Sequence, residues 1–178
     1  MGQTLERPPK TMMEVFQTLP EGTLVELIEN ALYLSPSPNY KHQKLLQFIF
    51  RHLSSRITDN NSGEVILAPF DVYLDESANA VQPDIIVVLN ENFGIINESG
   101  HIHGVPDLLV EVLSEGNKDH DLIRKKDLYE RFGVKEYWIV DPETKLAMVY
   151  QLRKGKYQLL GEKNGSIESE LLDLKLTF

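Results

Sequence analysis

Cysteine is absent from this chain of 178 residues, which excludes a disulfide framework, a thiolate metal site and a zinc ribbon. Long apolar runs are missing too. No window approaches the roughly 18 consecutive apolar residues needed to span a bilayer, and the opening MGQTLERPPKTMMEVF lacks the continuous apolar core of a secretory signal. Glu6 stands where a myristoylation signal after Met1-Gly2 needs Ser or Thr. These absences, and the compatibility of a disulfide-free chain with a reducing compartment, lead to the expectation of a soluble cytoplasmic protein with no membrane partner. Basic residues are scarce: 18 Lys and Arg against 27 Asp and Glu leave a net charge of −9. That balance argues against an extended, sequence-independent grip on a polyanion. It leaves room for a local basic groove, because Lys118, Arg124, Lys125 and Lys126 cluster in one segment and Lys41, Lys44, Arg51 and Arg56 in another.

The length fits one domain, residues 1–178, with 1–38 as an N-terminal helix and hairpin extension and 39–178 as the core. Thr11 reads as the cap of a short helix from Met12 to about Leu19. Thr23 to Glu29 alternates like a strand and turns at Glu29-Asn30 into a second strand, Ala31 to Ser35. After the turn Ser35-Pro-Ser-Pro-Asn39, a period of about 3.6 residues from Tyr40 to Ile57 sets Leu45, Leu46, Ile49, Leu53 and Ile57 on one stripe of a long helix. Strands follow at 64–68, 70–74 and 85–89, then a polar loop from Glu91 to Gly104 and the strand Leu108 to Leu113. Gly116-Asn-Lys-Asp119 opens a second long helix ending at Gly133, and strands resume at 136–140, 147–152 and 157–160, with 171–176 as a last edge. The expected fold is α/β, a mixed sheet of about seven to nine strands with flanking helices. No internal repeat or low-complexity segment is present.

Two of these strands carry a carboxylate where an apolar residue is expected. Asp84 sits in Val81-Gln-Pro-Asp-Ile-Ile-Val-Val88 and Glu111 in Asp107-Leu-Leu-Val-Glu-Val-Leu-Ser114. Strands so rich in Val, Ile and Leu lie inside sheets, where an ionised carboxylate is costly unless a cation or hydrogen bonds compensate it. A divalent metal would compensate both; the bland alternative for Asp84 is a turn cap after Pro83. On the second helix Leu122, Leu128, Tyr129 and Phe132 form an apolar arc that also contains Asp121 and Lys125. Asp121, Lys125 and Tyr129 stack along one ridge, so Lys125 either pairs with Asp121 or reaches Glu111. His42, at the first turn of the inward stripe of the first helix, is a candidate acid or phosphate contact, or else a satisfied core histidine. His52, His101, His103 and His120 have no ligand spacing, and Tyr137-Trp138 reads as strand packing, with a base-stacking platform as the alternative.

Gln82-Pro-Asp84, Pro106-Asp-Leu-Leu-Val-Glu-Val-Leu-Ser114, Asp121-x3-Lys125-x3-Tyr129 and Gly133-Val-Lys-Glu-Tyr-Trp-Ile-Val-Asp-Pro142 closely resemble the Uma-type family of putative restriction endonucleases in the PD-(D/E)XK nuclease superfamily. Val25-Glu-Leu-Ile-Glu-Asn30, Ser35-Pro-Ser-Pro38 and His42 fall in the same order, so the resemblance spans nearly the full chain. It implies a restriction-endonuclease-like core, with Asp84 as the first catalytic Asp and Glu111 as the acidic residue of the second motif. The chain departs from the common pattern at Leu113, where a Lys usually stands two residues after the acid. Lys125 is the matching cation, relocated to the helix. The resemblance also makes Glu26 an additional metal-side carboxylate, where the residue pattern alone gives only a Glu in an alternating strand.

The implied chemistry is hydrolysis of DNA phosphodiesters with Mg²⁺, or Mn²⁺ in its place, held by Asp84, Glu111 and the carbonyl of Val112, with Lys125 at the attacking water or the developing charge. His42, Glu26, Asp121 and Tyr129 are accessory candidates. Two rivals remain: a catalytically silent nuclease-fold module that binds nucleic acid or a protein, and a hydrolase of some other phosphate ester. A homodimer through the apolar C-terminal strands is expected, since cutting both strands suits two-fold symmetry.

Overall fold

The structure is a computed structural model that describes residues 7–97, 100–114 and 119–178. Helix α1, Met12–Gln17, is capped by Thr11, whose side chain accepts the Glu14 N–H. Strands β1 (Val25–Ile28) and β2 (Ala31–Leu34) form the expected hairpin. Its two turn residues, Glu29 and Asn30, have φ of 51° and 62°, the left-handed pair that a two-residue hairpin loop requires. The expected alternation fails on β1, where all four residues are buried. Val25 and Leu27 pack on Met13 and Phe16 of α1, while Glu26 and Ile28 face the molecule's interior on the other side.

Helix α2, Tyr40–Ile57, is capped by Asn39 and buries Leu46, Ile49, Leu53, Ile57 and His42. Next come β3 (Gly63–Leu67), β4 (Val72–Tyr73), β5 (Ala80–Val81), β6 (Ile85–Leu89), a 3₁₀ turn at Asn90–Ile95, β7 (Ile102–His103) and β8 (Leu108–Val112). A π-helical segment, His120–Lys125, runs into helix α3, Lys126–Phe132, which Gly133 ends with φ of 90°, the left-handed cap that glycine adopts freely. Strands β9 (Glu136–Val140), β10 (Leu146–Arg153), β11 (Lys156–Asn164), β12 (Ser166–Ser169) and β13 (Leu174–Thr177) complete the chain. Of the predicted helix opening at 116–119, residues 116–118 lie outside the described residues, as does Lys118 of the basic cluster.

The strands do not form one sheet. They divide into a six-stranded sheet, β11-β10-β9-β8-β6-β3, a five-stranded sheet, β2-β1-β5-β4-β7, and the pair β12-β13. Two prolines mark the crossings between the sheets. The chain leaves the six-stranded sheet after β3 at Ala68-Pro69 and returns to it between β5 and β6 at Gln82-Pro83-Asp84; a residue without an N–H cannot continue a ladder. β8 and β9 pair in parallel across the intervening helical segment, and the whole is the mixed α/β architecture expected.

The six-stranded sheet is apolar on both faces. Ile85, Val87, Leu108, Val110, Trp138 and Val140 pack against α2 and the C-terminal hairpin. Ile86, Val88, Leu109, Leu113, Tyr137 and Ile139 pack against α3 and the five-stranded sheet. Tyr137 and Trp138 are fully buried, so they are core residues and not a stacking platform. Along the outer strand β11, Lys156, Gln158, Leu159, Glu162 and Lys163 are exposed.

Candidate active site

Asp84 stands at the crossing from one sheet to the other. Ile85 of β6 pairs with Val110 of β8, so the same register brings Asp84 level with Glu111. The Asp84 Oδ2 accepts the Val112 N–H at 2.8 Å and meets His42 Nε2 at 3.1 Å. Both bonds fall on one oxygen, which leaves Oδ1 for a further ligand among the described residues. Burial works against charging His42, but the Asp84 hydrogen bond and charge, with the Val112 carbonyl, raise its pKa above the ordinary histidine value.

Glu111 lies mid-strand on β8, and its Oε1 is 2.8 Å from Lys125 Nζ and accepts the Tyr129 hydroxyl at 3.2 Å. Lys125 Nζ also lies 3.0 Å from Glu26 Oε1 and 3.4 Å from Asp121 Oδ1. The ammonium therefore joins the two sheets, since Glu26 belongs to one and Glu111 to the other. Both readings of Lys125, the pair with Asp121 and the reach to Glu111, hold at once. The Asp121 carbonyl accepts the Tyr137 hydroxyl at 3.2 Å, which ties the helical segment to β9.

One ammonium does not balance this many carboxylates. Burial raises the Glu111 pKa well above the carboxylate range; Lys125 opposes the rise, and Asp121, Asp84 and Glu26 add to it. Burial likewise raises Asp121 against the pull of Lys125. Glu26 is the exception. Burial resists its ionisation, yet Lys125, the bond to His120 and the Gln82 N–H hold it down at about 2. Lys125 is pushed well above the ordinary lysine value because its three carboxylates outweigh its burial. The raised values of Glu111 and Asp121 mark carboxylates that are buried and crowded beyond what one ammonium offsets.

Among the described residues no group of three or more His, Asp or Glu side chains is spaced to hold a metal ion; the Lys125 ammonium occupies the space between Glu26, Glu111 and Asp121. The donor chemistry nevertheless fits a hard divalent cation. Asp84 and Glu111 offer carboxylate oxygens and Val112 a backbone carbonyl, the ligand types that Mg²⁺ takes.

The sequence reading missed three participants: His120, Arg124 and the Gln82 N–H. His120 Nε2 lies 3.1 Å from Glu26 Oε2, Arg124 Nη1 lies 3.0 Å from His120 Nδ1, and the Gln82 N–H reaches Glu26 Oε1 at 2.8 Å. A π-helical turn bonds residue i to i+5, so His120 and Lys125 fall on the same side and both meet Glu26. The remaining histidines serve elsewhere. His52 Nδ1 contacts the Phe48 carbonyl at 2.8 Å, and His103 stacks on Tyr73 with ring centroids 4.7 Å apart. His101 faces Tyr73 and Phe70.

A family model described as Uma2, putative restriction endonuclease, matches residues 13–178. Among solved structures, the chain is similar to a putative nuclease belonging to DUF820 from Anabaena variabilis, at 21% identity and a TM-score of 0.74, covering 95% of each chain. A second similarity, to the type IIG restriction endonuclease BpuSI, has 12% identity and a TM-score of 0.41, covering 72% of this chain and 14% of the other. No curated protein matches.

Proposed function

We propose that this chain, which belongs to the Uma2 family of putative restriction endonucleases, is a metal-dependent endonuclease that hydrolyses DNA phosphodiester bonds. The observation that carries the reading is that Asp84 accepts the N–H of Val112, the residue after Glu111, while Glu111 itself takes the Lys125 ammonium. Mg²⁺, or Mn²⁺ in its place, held by Asp84, Glu111 and the Val112 carbonyl, would neutralise charge on the phosphoryl oxygens and make the attacking water more acidic.

The chain's own residues supply the rest. Lys125 is a fixed positive charge that can face the developing negative charge or orient water. Glu26, Asp121 and Tyr129 hold Lys125 and Glu111 in place. His42 and the Val112 N–H hold Asp84, so that the first carboxylate keeps its orientation. DNA is the expected substrate.

A second reading, a nuclease-fold module without activity, draws on the capture of Lys125 by three carboxylates, which is also how a buried ion cluster looks. Incubation of supercoiled plasmid with Mg²⁺ or Mn²⁺ separates the two. Cleavage by wild type that is lost in Asp84→Ala, Glu111→Ala and Lys125→Ala supports the enzyme. No cleavage by wild type over a broad range of conditions supports the inactive module.

A further inference from the structure

We infer that His120 is a positioning residue of this site: held by Arg124 as the Nε2–H tautomer, it fixes the Glu26 carboxylate against Lys125. The catalytic part of the inference rests on the nuclease reading; the geometric part stands alone.

The tautomer follows from donor chemistry. A guanidinium carries N–H donors and no acceptor. Arg124 Nη1 lies 3.0 Å from His120 Nδ1, so Nδ1 presents its lone pair and the ring proton sits on Nε2. An imidazolium would set two donors against each other. Nε2, 3.1 Å from Glu26 Oε2, therefore donates to the carboxylate.

The ring has little freedom. His120 is buried, and its ring lies 4.9 Å from that of Tyr33, centroid to centroid. The Arg124 guanidinium covers the same Tyr33 ring at 4.4 Å, a cation–π contact that holds it in place. Tyr33 pairs with Glu26 across the hairpin, so one β1–β2 step carries both the carboxylate and the aromatic floor beneath its donor. Glu26 divides its oxygens: Oε2 takes His120, while Oε1 takes the Gln82 N–H and Lys125. Loss of the His120 donor frees one side of Glu26 to rotate, and Lys125 loses a fixed partner.

The test uses the full chain with His120→Phe, which keeps a flat ring but no donor, and His120→Gln, whose amide N–H reaches toward the position of Nε2. Nitrogen NMR of histidine-labelled wild type should give a protonated Nε2 and a bare Nδ1 for His120. The buried Lys125 ammonium resonance should shift in His120→Phe and return toward wild type in His120→Gln. In plasmid cleavage, His120→Phe should lower kcat by roughly 10–100-fold with KM nearly unchanged, and His120→Gln should restore most of it. A proton on Nδ1, an unmoved Lys125 signal in His120→Phe, or wild-type kcat in that variant overturns the inference. If wild type cuts no DNA, the nuclease reading fails, and the two NMR measurements decide the role of His120 by themselves.

Discussion

Leu113 and Glu111 project from the same face of one β-segment, two residues apart, and only Glu111 meets a cation. Leu113 is buried with Leu109, Leu128 and Tyr129, close along the strand to the carboxylate that Lys125 serves from the helix. A lysine side chain placed there would point toward the same oxygens. Lys125→Ala should cost about 3–5 kcal/mol by leaving buried carboxylates unpaired. Adding Leu113→Lys should return at least about 1 kcal/mol of that loss, read by urea denaturation. A double variant no more stable than Lys125→Ala would refute the shared orientation.

Divalent ions should partly replace the missing ammonium. In Lys125→Met the carboxylates of Glu26, Glu111 and Asp121 lose their common partner, and binding to the folded state alone raises stability. Millimolar Mn²⁺ should raise the melting temperature of Lys125→Met by more than it raises that of wild type. An equal or smaller rise would count against a cation site here.

The acid limb of stability should depend on Glu26. Its pKa is depressed in the fold, from 4.5 to about 2. Its contribution is therefore complete above the unfolded value and disappears as pH falls through the folded one. Between these limits wild type should lose up to roughly 3 kcal/mol that Glu26→Gln does not lose. Parallel acid-to-neutral denaturation series would show whether the two curves converge.

Glu111 should have the opposite sign. Its pKa is raised by burial and by Asp121, Asp84 and Glu26, so its contribution is present below the unfolded value and lost as pH climbs through the folded one. Glu111→Gln should remove that loss and leave the protein at least as stable as wild type at neutral pH while abolishing cleavage. A marked drop in neutral stability would show that the carboxylate charge itself supports the fold.

Glu136 should behave as a structural acid despite its place on a central strand. It accepts Trp138 Nε1 at 2.8 Å, the Ser169 hydroxyl at 2.6 Å and the Leu171 N–H at 3.2 Å. Glu136→Ala should cost roughly 2–3 kcal/mol from stranded donors, seen as a lower denaturation midpoint with a red-shifted Trp138 emission. Plasmid cleavage under native conditions should be retained.

The elements that position the site were legible wherever they rest on local signals. The turn ending at Asn39 and the stripe from Leu45 to Ile57 place α2 at its observed ends, and the Glu29-Asn30 turn places the hairpin. Asp84, Glu111 and Lys125 stood out because charge inside an apolar run has to be explained. What escaped was non-local. The partition into separate sheets turns on how strands too short to announce themselves, such as Ala80–Val81 and Ile102–His103, choose partners. His120 escaped because Glu26 is 94 residues away, and because a wheel drawn at 3.6 residues per turn misplaces residues on a π-helical segment.

Because Glu26 and Glu111 reach Lys125 from different sheets, neither half of the molecule contains the centre by itself. The hairpin of β1 and β2 can close early, on contacts between near neighbours, but the centre exists only once that hairpin has docked on the strands that follow much later in the chain. Assembly of the centre and tertiary docking are thus one event, and a partly folded chain carries no half-built version of it.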